Sequence, residues 1–227
     1  MNLYIITSIL SLAFCAVFGC CVYRLHLSET KNCPTSVDAA LKIEQGTKMK
    51  ILLVSLLLGA AFIFCGFRLI GSVANELAFL RLFCLLEILA IAGVIDYKTK
   101  KIPNKLIASG VILRAVLLAA EAIYYKGDIL NIVINDLVGL AIGFGVLMLS
   151  ALVTRGSVGY GDVKLFGVIG IMSGAICTFH TLLIALVISV IVSLFLMIVK
   201  KKSRKDSIPF GPCVFVGYYI SLMLYLF

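Results

Sequence analysis

Two aspartates carry the chemistry on offer in this chain. Asp96 stands in Ile95-Asp96-Tyr97-Lys98-Thr99-Lys100-Lys101-Ile102-Pro103-Asn104, and Asp162 in Gly159-Tyr160-Gly161-Asp162-Val163-Lys164-Leu165. Each lies where a long apolar run meets a polar loop. A carboxylate in hydrocarbon costs about 2.5–3.5 kcal/mol on insertion scales, so acids kept at that boundary are functional candidates. Two carboxyl groups close enough to share one proton cannot both ionise freely, and they titrate as a coupled pair. One can then take a proton from water while the other protonates a leaving group. Glycines 159 and 161 permit positive φ and close backbone approach, which would let Asp162 be held against a neighbouring helix or a bound peptide.

The elements that must position this pair follow from composition. Of the 227 residues, 62% are hydrophobic and 14% charged, against about 25% charged in soluble domains. Apolar runs of about 20 residues match the roughly 30 Å of a bilayer core. They fall at Leu3–Tyr23, Ile51–Ile70, Leu77–Ile95, Asn104–Tyr124, Asn131–Val153, Val163–Thr178, Thr181–Val199 and Pro209–Phe227. The sixth is the shortest, with Ser173, Gly174 and His180 weakening its outer end. Barrel strands of about ten alternating residues are lacking, and lipid-facing backbone must satisfy itself, so the runs are expected to be helices. The fold class expected is all-α, a polytopic transmembrane bundle of about eight helices. Residues 1–50 form an N-terminal anchor and short loop, and residues 51–227 the domain that holds the aspartates.

Alternating crossings put Arg24 to Lys50, Asp96 to Pro103, Thr154 to Asp162 and Lys200 to Ile208 on one face. All but Arg68, Arg81, Arg114 and Lys126 of the 20 lysines and arginines fall on that face. The positive-inside rule makes it cytoplasmic, with both termini outside. The net charge of +9 is spread over juxtamembrane loops, Lys200 to Lys205 among them, which suits topology and anionic lipid rather than nucleic acid. The first run lacks the positive start of a signal peptide and is expected to persist as an anchor. The eight cysteines show no Cys-x-x-Cys spacing, and most lie in apolar spans, where Cys packs as a small hydrophobe. No metal site is expected.

Glu87 and Arg114 each lie about ten residues into adjacent spans, near one depth, and are expected to form a buried ion pair, since an unpaired charge there is disfavoured. Arg81, Glu121 and Asp136 occupy the outer third of their spans, as a second cluster or as solvated interfacial groups.

The sequence resembles the prepilin leader peptidases, a branch of the Gly-x-Gly-Asp intramembrane aspartic proteases. Asp96 with Ile102-Pro103-Asn104 is similar to the first motif of that family. Gly159-Tyr160-Gly161-Asp162-Val163-Lys164-Leu165 is similar to the second, and Ile208-Pro209-Phe210-Gly211-Pro212 to the signature that opens its last helix. The three occur in family order between Glu76 and Val216. The resemblance implies that Asp96 and Asp162 are the catalytic dyad, with Ile102, Pro103, Gly159, Tyr160, Gly161, Lys164 and residues 208–212 as motif and positioning residues. It implies an aspartic endopeptidase that cuts the short basic leader from type IV pilin-like precursors, in pili, secretion or competence, after a glycine and at the cytoplasmic face of a bacterial or archaeal membrane. Substrate and lipid are the partners implied, with no nucleic acid and the oligomeric state left open. Closure of the loop from Arg155 to Gly161 would bring Asp162 toward Asp96.

The first fifty residues depart from the family's bifunctional pattern. Val22-Tyr23-Arg24-Leu25 is similar to the end of its first helix, but the preceding Gly-Ser-Phe element is unmatched, and Cys33-Pro34-Thr35-Ser36 lacks the second cysteine of the usual zinc knuckle. No cofactor is expected, S-adenosylmethionine entering only if methyl transfer to the product is retained. The alternatives are a presenilin-like or signal-peptide peptidase, whose Pro-Ala-Leu element is absent, a transporter with buried acids, and a silent scaffold of a secretion machine. A transporter would more often show internal repeats with helices broken at the midplane.

Overall fold

In a computed structural model the chain is described over residues 76–154, 159–200 and 209–226. Every regular element there is helical: α1 (Glu76–Thr99), α2 (Asn104–Tyr124), α3 (Ile129–Val153), α4 (Tyr160–Lys200) and α5 (Gly211–Leu226). Four stretches are long and apolar enough to cross a membrane, Leu77–Tyr97, Asn104–Tyr124, Ile129–Val153 and Tyr160–Ile198, and Gly211–Leu224 is a shorter apolar helix. The spans expected at Leu3–Tyr23 and Ile51–Ile70 lie outside the described residues, as do Cys33, residues 155–158 of the expected closing loop, Ile208 and the basic run after Lys200.

The helix limits follow local chemistry. Helix α1 ends at Lys100, which takes φ 52° and donates its N–H to the Asp96 carbonyl at 2.8 Å, a left-handed close. Pro103 caps α2 with extended backbone (φ −69°, ψ 135°); it is the residue before the helix, and its missing N–H removes no helical bond. Helix α3 ends at Thr154, whose hydroxyl donates to the Ser150 carbonyl at 2.6 Å.

The chain divides into two compact units, Met1–Ile91 and Ala92–Phe227. In the first, the described turns of α1 bury Phe83, Leu85, Leu86, Ile88 and Leu89 together with Glu87. In the second, α4 packs against α3, α5 and α2. Outward faces of α2, α3 and α4 carry large apolar side chains such as Ile112, Leu137, Leu149 and Phe195, as lipid contact requires.

Small residues set the closest helix contact. A Cβ on Gly139 would run into the Gly170 carbonyl oxygen, one on Gly143 into that of Phe166, and one on Gly170 into that of Gly139. Gly139 and Gly143, one turn apart on α3, thus let two backbones meet without intervening side chains. Gly170→Val is expected to destabilise the fold by about 1–3 kcal/mol, read by thermal unfolding in detergent. A variant as stable as the parent would mean that the helices part at no cost.

Helix α4 is broken at Gly174, which takes φ 77°, ψ −178°. A Cβ on Gly143 would lie 3.1 Å from both the Phe166 carbonyl carbon and the Thr178 methyl. On a straight helix those residues would stand about 18 Å apart, so the chain folds back at Gly174 into two arms. The two runs expected on either side of residues 178–181 are these arms. The turn comes earlier because Gly174 alone there can take that φ without strain.

Candidate active site

Asp96 lies one turn after Gly93 on the closing stretch of α1, buried at 5% exposure. Its Oδ2 accepts the N–H of Gly211 at 2.7 Å. Gly211 begins α5, where the first amides have no partner within the helix, and Pro212 behind it brings no N–H of its own. Asp96 therefore caps a helix remote in sequence. The approach demands glycine: a Cβ on Gly211 would come 2.9 Å from Asp96 Cβ, 3.1 Å from its Oδ2 and 3.2 Å from Gly93 Cα.

Asp162 lies in the first turn of α4. Its N–H is donated to the Gly159 carbonyl at 3.0 Å, and its Oδ2 would be 3.0 Å from a Cβ on Gly159. Gly161 sits against the loop after α1, where a Cβ would meet that of Ile102 at 3.3 Å. Lys164 donates from Nζ to Asn104 Oδ1 at 3.2 Å across an exposed gap. Phe166, one turn beyond Asp162, stacks on Phe210 with ring centroids 6.1 Å apart. The two carboxyl groups are near enough for the charge of Asp96 to bear on Asp162, and on the buried Cys213 thiol of α5.

The positions singled out from sequence thus converge: Asp96, Ile102, Gly159, Gly161, Asp162, Lys164, Phe210 and Gly211 form one cluster of contacts. Pro209 and Pro212 shape the entry to α5 beside it, and Tyr160 lies exposed at the start of α4. Two residues were missed, Gly93, which makes room for α5, and Cys213, while Asn104, read as part of the first motif, is the acceptor for Lys164. The signal for Gly93 was present, a small residue one helical turn before an acid in an apolar run.

Arg114 has partners in its own unit that the sequence did not assign to it. Its guanidinium, which depth alone assigned to Glu87, is held by Asp136 and Glu121: Nε donates to Asp136 Oδ2 at 2.9 Å, one terminal nitrogen to Glu121 Oε2 at 2.8 Å, and the other to Asp136 Oδ2. All three residues are buried. The outer-third acids therefore do cluster, around a cation whose long side chain reaches up to them. They lie apart from the motif contacts, and their role is to tie α2 to α3.

Helices that can cross a membrane thus bring a buried aspartate, held by a remote helix start, toward a second aspartate in a Gly-x-Gly-Asp turn. Residues 82–198, just over half of the chain, match the type IV leader peptidase family, and the chain belongs to it as a multi-pass membrane protein. Among curated proteins it is similar to the prepilin leader peptidase/N-methyltransferase of Bacillus subtilis (strain 168), 28% identical over 147 residues that cover 63% of this chain and 53% of that protein. The chain therefore aligns with about half the length of this relative. No solved structure matches it.

Proposed function

We propose that the chain is a membrane aspartic endopeptidase that removes the short basic leader from type IV pilin-like precursors, with Asp96 and Asp162 as its dyad. The observation that carries this reading is the meeting of the three motifs: the Gly211 amide on Asp96, Gly161 against Ile102, and the charge of Asp96 bearing on Asp162. A transporter has no evident need to bring these strings to one edge of the membrane.

In the proposed reaction one carboxylate takes a proton from water as the water oxygen bonds to the scissile carbonyl carbon. The other carboxyl gives its proton to the carbonyl oxygen, forming a gem-diol. The C–N bond then breaks as the first carboxyl returns its proton to nitrogen, and the second recovers one from a gem-diol hydroxyl. Water and the two side chains balance every proton, so no cofactor enters this cycle. The motif edge is assigned to the cytoplasmic face on the charge of its loops, with both termini outside. The precursor's apolar helix remains in the lipid while its leader reaches the dyad. Methyl transfer is part of the name of the Bacillus relative; for this chain, S-adenosylmethionine would enter only with that second activity.

Membranes containing the chain should convert a pilin-like precursor to a shorter product, seen by gel shift, with mass spectrometry placing the cut after the leader's glycine. Failure on a panel of pilin, pseudopilin and competence precursors would sink the reading.

A further inference from the structure

The contact between α5 and Asp96 bears on how the dyad divides its work. The Gly211 amide is the opening N–H of a 16-residue helix, with the aligned peptide dipoles behind it. It meets Asp96 Oδ2 at 2.7 Å in a buried contact. The fit is specific, because any Cβ on Gly211 would press on Asp96 itself. An amide hydrogen needs a lone pair, and an ionised carboxylate always offers one, as a charge-assisted bond. Asp162 heads a different helix, and among the described residues its carboxyl accepts no amide comparable to that of Gly211 on Asp96. When two close carboxyl groups share one proton, the oxygen already committed to a donor is the poorer place for it.

We propose that the Gly211 amide is a positioning group that fixes Asp96 as the proton acceptor and leaves Asp162 to carry the shared proton in the resting enzyme. This division rests on the peptidase reading above. Asp96 then takes the proton from water through its other oxygen, while Asp162 donates to the carbonyl oxygen. Nitrogen then leaves with the proton held by Asp96, and Asp162 recovers its own from a gem-diol hydroxyl as the new carboxyl group forms. Among the described residues, the titratable groups at this end are Tyr160, Asp162 and Lys164 on α4, Cys213 on α5, Lys105 on α2, and Tyr97, Lys100 and Lys101 around the close of α1.

The test uses the full chain labelled with ¹⁵N-glycine in detergent micelles, the Gly211 signal being assigned by its loss in Gly211→Ala. That amide proton is expected downfield, to move upfield in Asp96→Asn, and to stand at its high-pH limit where cleavage is maximal. Gly211→Ala should lower kcat by about 10²-fold with KM little changed. A Gly211 signal indifferent to Asp96→Asn, or one at its low-pH limit at the pH of maximal cleavage, overturns the assignment. Failure of the peptidase reading is distinguishable, since it shows as absence of cleavage by the unaltered chain while the Gly211 signal still reports the contact.

Discussion

Asp96→Asn and Asp162→Asn are each expected to lower precursor cleavage by about 10²–10⁴-fold, the range that a positioned acid or base contributes. The amide side chain keeps the size of the carboxyl group, and in Asp96→Asn its oxygen can still accept the Gly211 N–H, so the junction with α5 should hold. What disappears is the capacity to exchange a proton with water or substrate. Because the two carboxyls act as a unit, the double variant should lose little beyond either single one. The measurement is gel shift and mass spectrometry on membranes matched for protein. Cleavage by either variant at the parent rate would remove that residue from the mechanism.

Arg114→Leu is expected to cost the fold about 3–5 kcal/mol, the usual effect of removing one member of a buried ion network. Glu121 and Asp136 would keep their places in the membrane without the guanidinium they now bind. The loss should appear as a lower thermal midpoint in detergent and less protein in the membrane. Adding Glu121→Gln and Asp136→Asn to Arg114→Leu should recover much of it, since neutral amides are cheaper to bury than carboxylates. An Arg114→Leu protein as stable as the parent would show that the network contributes nothing.

The contrast between these two sites explains how much was legible in the sequence. The aspartate motifs could be read because they are local strings: Gly159 to Lys164 fixes one turn and Asp96 to Asn104 one helix end, and both must lie at the water boundary. Span limits were legible for the same reason, Asn104–Tyr124 coinciding with α2. Partner choice within the membrane was not. Depth alone made Glu87 and Arg114 neighbours, but depth says nothing of the direction a side chain takes around its helix, nor of how far a guanidinium reaches. Glu121, two turns along the same helix, and Asp136 at the start of the next one hold it. The reversal in α4 was half-visible: Ser173, Gly174 and His180 marked a weak stretch, yet only the positive φ of Gly174 sets the turning point.

That reversal makes the arm bearing Asp162 a re-entrant element. From Tyr160 to the break at Gly174 is roughly 14 residues, or about 21 Å of helix, some 9 Å short of a typical hydrocarbon core. Backbone exposed at such depth must bring its own partners. The turn does so: Ala175 N–H is met by Asn135 Oδ1 at 3.1 Å and the Gly174 carbonyl by the Thr178 hydroxyl at 2.6 Å. Protein covers most of this arm, Val163, Leu165, Phe166, Val168, Ile169 and Met172 all being buried, so its length need not match the bilayer. The helix that carries the Gly-x-Gly-Asp turn can therefore stop short, its far end held by Asn135 of the neighbouring helix instead of by a length that spans the lipid.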